Sequence, residues 1–208
     1  MPCGELFFLS SDYFSVISNH HHRKEKESNM NITVFLGANL GDDQMYLMEV
    51  KALGQWIGKK GHRLIYGGRR IGLMGALADA VLENGGEVTG VVPEFFLNRG
   101  TEHKGLTEMI KTATISERRE KMIELGDCFI AFPGGTGTLE EISDVISQKK
   151  LGRTVKPVAL LNIEGFYKPL QAMLEKMVEE GFLDRTDLNK VYFANTVESA
   201  EWYLEYNR

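Results

Sequence analysis

Only two cysteines, Cys3 and Cys128, occur among the 208 residues. Cys128 sits in the apolar run Cys128-Phe129-Ile130-Ala131-Phe132, far from Cys3, so a disulfide framework is excluded and a reducing cytoplasm is the expected setting. Prolines number five, and no Pro- or Ser-rich linker divides the chain, which predicts one domain. No run reaches the roughly 18 apolar residues of a membrane span. A basic excess is also missing: the net charge is -5, which argues against a nucleic-acid surface. The dinucleotide fingerprint is absent, because Gly37 to Gly41 lacks the G-x-G-x-x-G spacing and the second strand ends at Tyr66 instead of an acid. No P-loop lysine occurs either. Hydride transfer and nucleoside triphosphate hydrolysis are therefore poor readings.

The first 29 residues carry Leu6-Phe7-Phe8-Leu9, with no basic segment before it and no small-residue cleavage site, which makes a poor signal peptide. His20-His21-His22 lacks further ligands at helical spacing, so no metal site is assigned. Met30 directly precedes the first clear strand and reads as the natural start, with residues 1–29 as a disordered leader or upstream extension. Residues 30–208 are expected to form the single domain.

What remains is 43% hydrophobic and alternates apolar strands with amphipathic helices. Strands are expected at Ile32–Leu36, Arg63–Tyr66, Val88–Val92, Leu106–Thr112, Cys128–Phe132, Val158–Leu161 and, as a late edge, Val191–Ala194. Helices are expected over residues 43–60, with Met45, Met48, Leu53, Trp56 and Ile57 at core spacing, and over 73–83, 116–125, 139–150, 166–180 and 199–206. Strands apolar on both faces and separated by helices imply an α/β fold: a three-layer, Rossmann-like sandwich with a mostly parallel sheet.

Ligands of such sheets bind beyond the carboxyl ends of the strands. Three glycine-bearing loops fall there: Gly37-Ala38-Asn39-Leu40-Gly41, Gly67 to Gly75, and Pro133-Gly134-Gly135-Thr136-Gly137-Thr138-Leu139-Glu140-Glu141. Glycine lets backbone N–H groups approach an anion, and a helix N-terminus adds partial positive charge. In the third loop Thr138 is placed to cap the helix, with Glu141 three residues on. Two readings of Glu141 stand together: one half of a capping box, or a carboxylate that binds ribose hydroxyls or positions a water beside a phosphate cradle. Arg118 and Arg119 open the preceding helix, where cations oppose the helix dipole unless an anion is near.

At this point the motifs resemble a known family. Pro133 to Glu141 matches the P-G-G-x-G-T-x-x-E motif of the Lonely Guy family, the cytokinin riboside 5′-monophosphate phosphoribohydrolases, whose members have been labelled "possible lysine decarboxylases". Tyr66-Gly67-Gly68 with Ile71-Gly72-Leu73-Met74-Gly75, Gly105 to Glu108, Glu117 to Met122 and Lys156 to Asn162 also look like family blocks. Where the family has a third glycine after Tyr66 this chain has Arg69; where lysine is usual it has Arg119; and Leu36-Gly37-Ala38-Asn39 stands where C-G-S-S is frequent.

The resemblance implies hydrolysis of the N-glycosidic bond of an adenosine 5′-monophosphate, often modified at N6, to free base and ribose 5-phosphate. It implies Arg118 and Glu141 as the catalytic pair. Implied substrate contacts are Arg119, Gly134, Gly135, Thr136, Gly137, Thr138, Leu139, Glu140 and Ser147, and the other glycine loops add Gly37, Asn39, Gly67, Gly68 and Met74. No metal or organic cofactor is required, and a homodimer or higher homo-oligomer is expected. The alternative is a non-catalytic nucleotide or cofactor carrier on the same fold, which needs the cradle but not the Arg118–Glu141 pair.

Overall fold

The computed structural model describes residues 29–97 and 100–208. Except for Asn29, the expected leader lies outside the described residues, as do Cys3 and the three histidines. The described chain runs β1 (Asn31–Phe35), α1 (Gln44–Lys59), β2 (Arg63–Tyr66), α2 (Gly72–Glu83), β3 (Glu87–Pro93), α3 (Glu94–Leu97), β4 (Glu108–Thr112) and α4 (Ile115–Leu125). It continues through β5 (Cys128–Ala131), α5 (Thr136–Lys150), β6 (Val158–Leu161), a 3-10 turn (Ile163–Gly165), α6 (Lys168–Glu179), α7 (Arg185–Leu188), β7 (Val191–Ala194) and α8 (Val197–Tyr206).

The strands form one seven-stranded sheet in the order β4-β3-β2-β1-β5-β6-β7, and the pairings between neighbouring strands are all parallel. Side chains leave alternate faces of each strand. Ile32, Val34, Ile130 and Phe132 thus join a core with α1, α2 and α8. Phe35, Phe129 and Ala131 join the opposite core with α4, α5 and α6. This is the expected three-layer sandwich. On the first face α1 and α2 pack closely because Gly54 and Gly58 lack side chains: a Cβ on Gly54 would stand 2.7 Å from Ala80 Cβ, and one on Gly58 2.6 Å from Val81 O.

Four details depart from expectation. Helix α5 begins at Thr136, three residues before Leu139, with Gly135 as N-cap and no side-chain cap. Thr138 therefore lies inside the first turn and cannot form a capping box with Glu141. The buried stripe of α5 is Thr138, Glu141, Ile142, Val145 and Lys149; more than half of it is polar, and Leu139 points outward at 46% exposure. Arg118 is likewise not at a free helix start: Thr114 caps α4, accepting from Glu117 N, and Arg118 N already donates to Thr114 O. The dipole argument for its cation is weaker by that turn. Met48, expected in the core, is exposed on α1. The short helices α3 and α7 span only four residues each, too few for a periodic signal.

The strand order runs outward in both directions from β1 and β5. Successive connections change side there, so the loops leaving these two strands part and open a crevice at the sheet's carboxyl edge.

Candidate active site

Gly37, which follows β1, and Gly134, which follows β5, meet in this crevice through their backbones. Gly37 N donates to Pro133 O at 3.2 Å. A Cβ on Gly134 would fall 2.6 Å from Gly37 N and 2.3 Å from Thr138 Oγ1. Gly134 is therefore a packing glycine. Gly135 and Gly137 differ: a Cβ there would meet nothing within 4 Å, so their backbones face open space. The first N–H groups of a helix have no intrahelical partner, and α5 has no side-chain cap. The crevice thus presents bare amides at a helix N-terminus, the arrangement that holds a phosphate.

Around these amides lies a cavity of about 460 Å³. Of the expected site residues it is lined by Gly37, Asn39, Met74, Arg118, Gly134, Gly135, Thr136, Gly137, Thr138 and Glu141. Arg118 reaches it from α4 across the end of β2. Gly67 makes this passage: a Cβ on it would stand 2.3 Å from Arg118 Nη2. Gly68, in the left-handed region (φ 74°), abuts Val92 in the same way. Gly67 shapes the wall behind the arginine, Gly68 packs against β3, and neither lines the cavity.

Arg118 Nη2 lies 3.1 Å from Glu141 Oε1, and the two side chains are 13% and 10% exposed. Burial is the main influence on Glu141 and raises its pKa above the ordinary 4.5; the Arg118 guanidinium opposes this, Glu140 adds to it, and Arg119 lowers it again. Tyr167 is buried behind the pair, its hydroxyl donating to Phe132 O at 2.9 Å, and burial with the nearby Glu141 charge raises its own pKa. A carboxylate so placed can accept a proton from water, and the guanidinium steadies its charge.

Arg119, Leu139, Glu140 and Ser147 do not line the cavity. Arg119 ties α4 to α5, its Nη1 2.5 Å from Glu140 Oε1 and its Nε 2.7 Å from Asp144 Oδ2. Leu139, Glu140 and Ser147 lie on the exposed side of α5. Conversely, Tyr46 and Phe166 line the cavity with Leu40 of the first glycine loop, yet sequence reasoning missed the two aromatic residues. Tyr46 falls off the apolar spacing of α1, and Phe166 reads as an ordinary first residue of α6; no residue pattern marks either.

The fold and crevice define a Rossmann-like protein with a phosphate cradle and a buried Arg–Glu pair. A family model described as "Possible lysine decarboxylase" matches residues 74–204. A cytokinin riboside 5′-monophosphate phosphoribohydrolase from Rhodococcoides fascians is 41% identical over 170 residues, covering 81% of this chain and 86% of that protein. One from Arabidopsis thaliana, LOG1, is 40% identical over 155 residues, covering 74% and 73%. This chain belongs to that family, the Lonely Guy family. In overall fold it is also similar to a molybdenum cofactor binding protein from Rippkaea orientalis (TM-score 0.67, 24% identity, 86% of this chain and 96% of that one). A Moco carrier protein from Chlamydomonas reinhardtii is comparable, with TM-score 0.66, 23% identity and the same coverage.

Proposed function

We propose that this protein hydrolyses the N-glycosidic bond of an adenosine 5′-monophosphate, including N6-modified forms, releasing the base and ribose 5-phosphate. The observation that carries the reading is the buried Arg118–Glu141 pair on the wall of a cavity whose floor is an uncapped helix N-terminus. The phosphate sits on the amides of Gly135, Thr136 and Gly137, which fixes the ribose by contacts remote from the reacting bond. The transition state at the anomeric carbon is oxocarbenium-like, and a nearby carboxylate stabilises it. As the carbon–nitrogen bond breaks, its electrons go to the base. Water oxygen bonds to the anomeric carbon, Glu141 takes the water's proton, the leaving base nitrogen takes one proton from solvent, and Glu141 returns its own to solvent, so that one water is consumed. Arg118 holds Glu141 in place and offers a cation to developing negative charge.

The named activity of the relatives supports this reading over that of a carrier, and so does the pair itself, which a carrier does not need. The fold likeness to cofactor carriers favours neither. A homodimer or higher oligomer acting in the cytoplasm completes the proposal; Ile115 and Leu139, exposed at the starts of α4 and α5, give apolar surface on the same sheet edge. Incubation with AMP and with N6-isopentenyl AMP, with ribose 5-phosphate as the readout, tests the activity. Tight nucleotide binding with no release from either compound would support the carrier instead.

A further inference from the structure

The cradle and the Arg118–Glu141 wall leave one side of the cavity unassigned, and that side is uncharged. Leu36, Ala38, Leu40, Leu73 and Met74 line it, and its aromatic rings are Tyr46 and Phe166. Tyr46 stands in the first turn of α1, and its ring lies so close to Gly41 that a Cβ there would approach it to 2.7 Å. Phe166 meets it edge to face, with ring centroids 6.2 Å apart and planes at 84°.

The placement of Phe166 is held by backbone that ordinary packing does not call for. Between β6 and α6 the chain passes through Glu164 at φ 51° and Gly165 at φ 74°. Glu164 is the only left-handed non-glycine among the described residues. A non-glycine residue in that region is disfavoured and persists where its surroundings over-determine it, often at functional sites. The surroundings here do so. Asn162 Oδ1 accepts from Tyr167 N at 2.7 Å while its Nδ2 donates to Asn195 Oδ1 at 3.2 Å, and Phe166 N donates to Ile163 O at 3.0 Å. The result of this anchoring is a phenylalanine that remains 39% exposed at the cavity. An exposed aromatic ring on so rigid a support has a use if a planar partner covers it.

We propose that Phe166, with Tyr46 beside it, grips the heteroaromatic base of the nucleotide and is a specificity-determining residue. This rests on the nucleotide reading above and names the part of the ligand that the aromatic corner receives. With phosphate on the α5 amides and the anomeric carbon before Glu141, the base meets the uncharged lining, where Tyr46 and Phe166 are the aromatic rings. A base offers that wall a π-face or a ring edge, and such contacts with aromatic side chains contribute roughly tenfold in affinity per base. Glu164 and Asn162 act through Phe166 as positioning residues.

The test separates the base from the rest of the ligand. AMP and ribose 5-phosphate are titrated calorimetrically into the full chain carrying Glu141→Gln, so that nothing is consumed, with and without Phe166→Ala. The expected result is AMP binding weakened by about tenfold, ribose 5-phosphate binding unchanged, and AMP affinity restored by Phe166→Tyr. AMP affinity unchanged by Phe166→Ala, or an equal loss for both ligands, or a loss that tyrosine does not restore, overturns the grip. Turnover of AMP by the unsubstituted chain is measured separately. Its absence alone sinks the hydrolase and leaves the grip standing, whereas failure of AMP to bind at all sinks both.

Discussion

The Arg118 guanidinium and the Glu141 carboxylate meet at 3.1 Å in a nearly buried ion pair, although one side chain comes from α4 and the other from α5. Glu141→Gln keeps the side-chain shape and removes the carboxylate that the proposed mechanism uses as proton acceptor. We expect turnover to fall by about 10²–10⁴-fold with the thermal midpoint little changed. A variant that loses stability instead, with turnover intact, would make Glu141 a structural residue.

The same pair fixes the direction of the acid limb. Burial raises the Glu141 pKa above 4.5, and the base must be ionised, so kcat/KM should fall on acidification with a midpoint above 4.5. Because the folded value is raised, Glu141 favours folding below its unfolded pKa and loses that contribution as pH rises through the folded one. Arg118→Gln removes an influence that lowers this pKa and should move the midpoint to higher pH. Carboxyl-carbon NMR titration of Glu141 reads the shift directly, and a move to lower pH would contradict the assigned pairing.

Neighbouring glycines should fail differently. At Gly134 an added methyl meets Gly37 N at 2.6 Å, so Gly134→Ala is expected to cost about 1–3 kcal/mol of stability. At Gly135 it meets nothing within 4 Å, so Gly135→Ala should leave the thermal midpoint unchanged and raise KM by crowding the phosphate. Thermal unfolding and kinetics on the two variants distinguish these outcomes.

Arg119 binds Glu140 and Asp144 and not the cavity. Arg119→Met is expected to lower stability by about 1–2 kcal/mol, as loss of charge-assisted bonds on a partly exposed side chain, with KM little affected. A raised KM at unchanged stability would return Arg119 to the substrate.

Glu201 on α8 gives a second pH signature. Burial first, then Glu198 and Glu205, push its pKa up to about 7, against the opposing effect of Lys60. Its raised value means that stability is present below the unfolded pKa of 4.5 and is lost as pH rises towards about 7. Glu201→Gln should therefore raise the thermal midpoint at about pH 8 and change it little at about pH 4. Equal effects at both would rule out the carboxyl's charge as the cause.

Much of the frame was legible because β strands such as Val158–Leu161 are apolar throughout, and because glycine loops mark strand ends. The Pro133–Glu141 motif and Arg118 stood out in the sequence, and the structure brings most of them to one cavity. Two kinds of feature were hidden. The start of α5 was misplaced because glycines that suggest a loop also accept helical backbone, and because Glu141 and Thr138 occupy its buried face. Tyr46 and Phe166 were silent because their role depends on α1 and the β6–α6 connection meeting across the crevice, which local pattern does not encode.

The bond from Gly37 N to Pro133 O and the close approach of Gly37 to Gly134 set the width of the crevice floor by backbone alone. Exchanging one rim side chain for another leaves this backbone gap as it is. On the reading proposed above, a lineage using this fold can therefore keep the phosphate as a constant handle and retune only the rim, where α1 begins and where β6 gives way to α6. Changes of ligand should accumulate there, leaving the floor as the fixed gauge against which each new base is fitted.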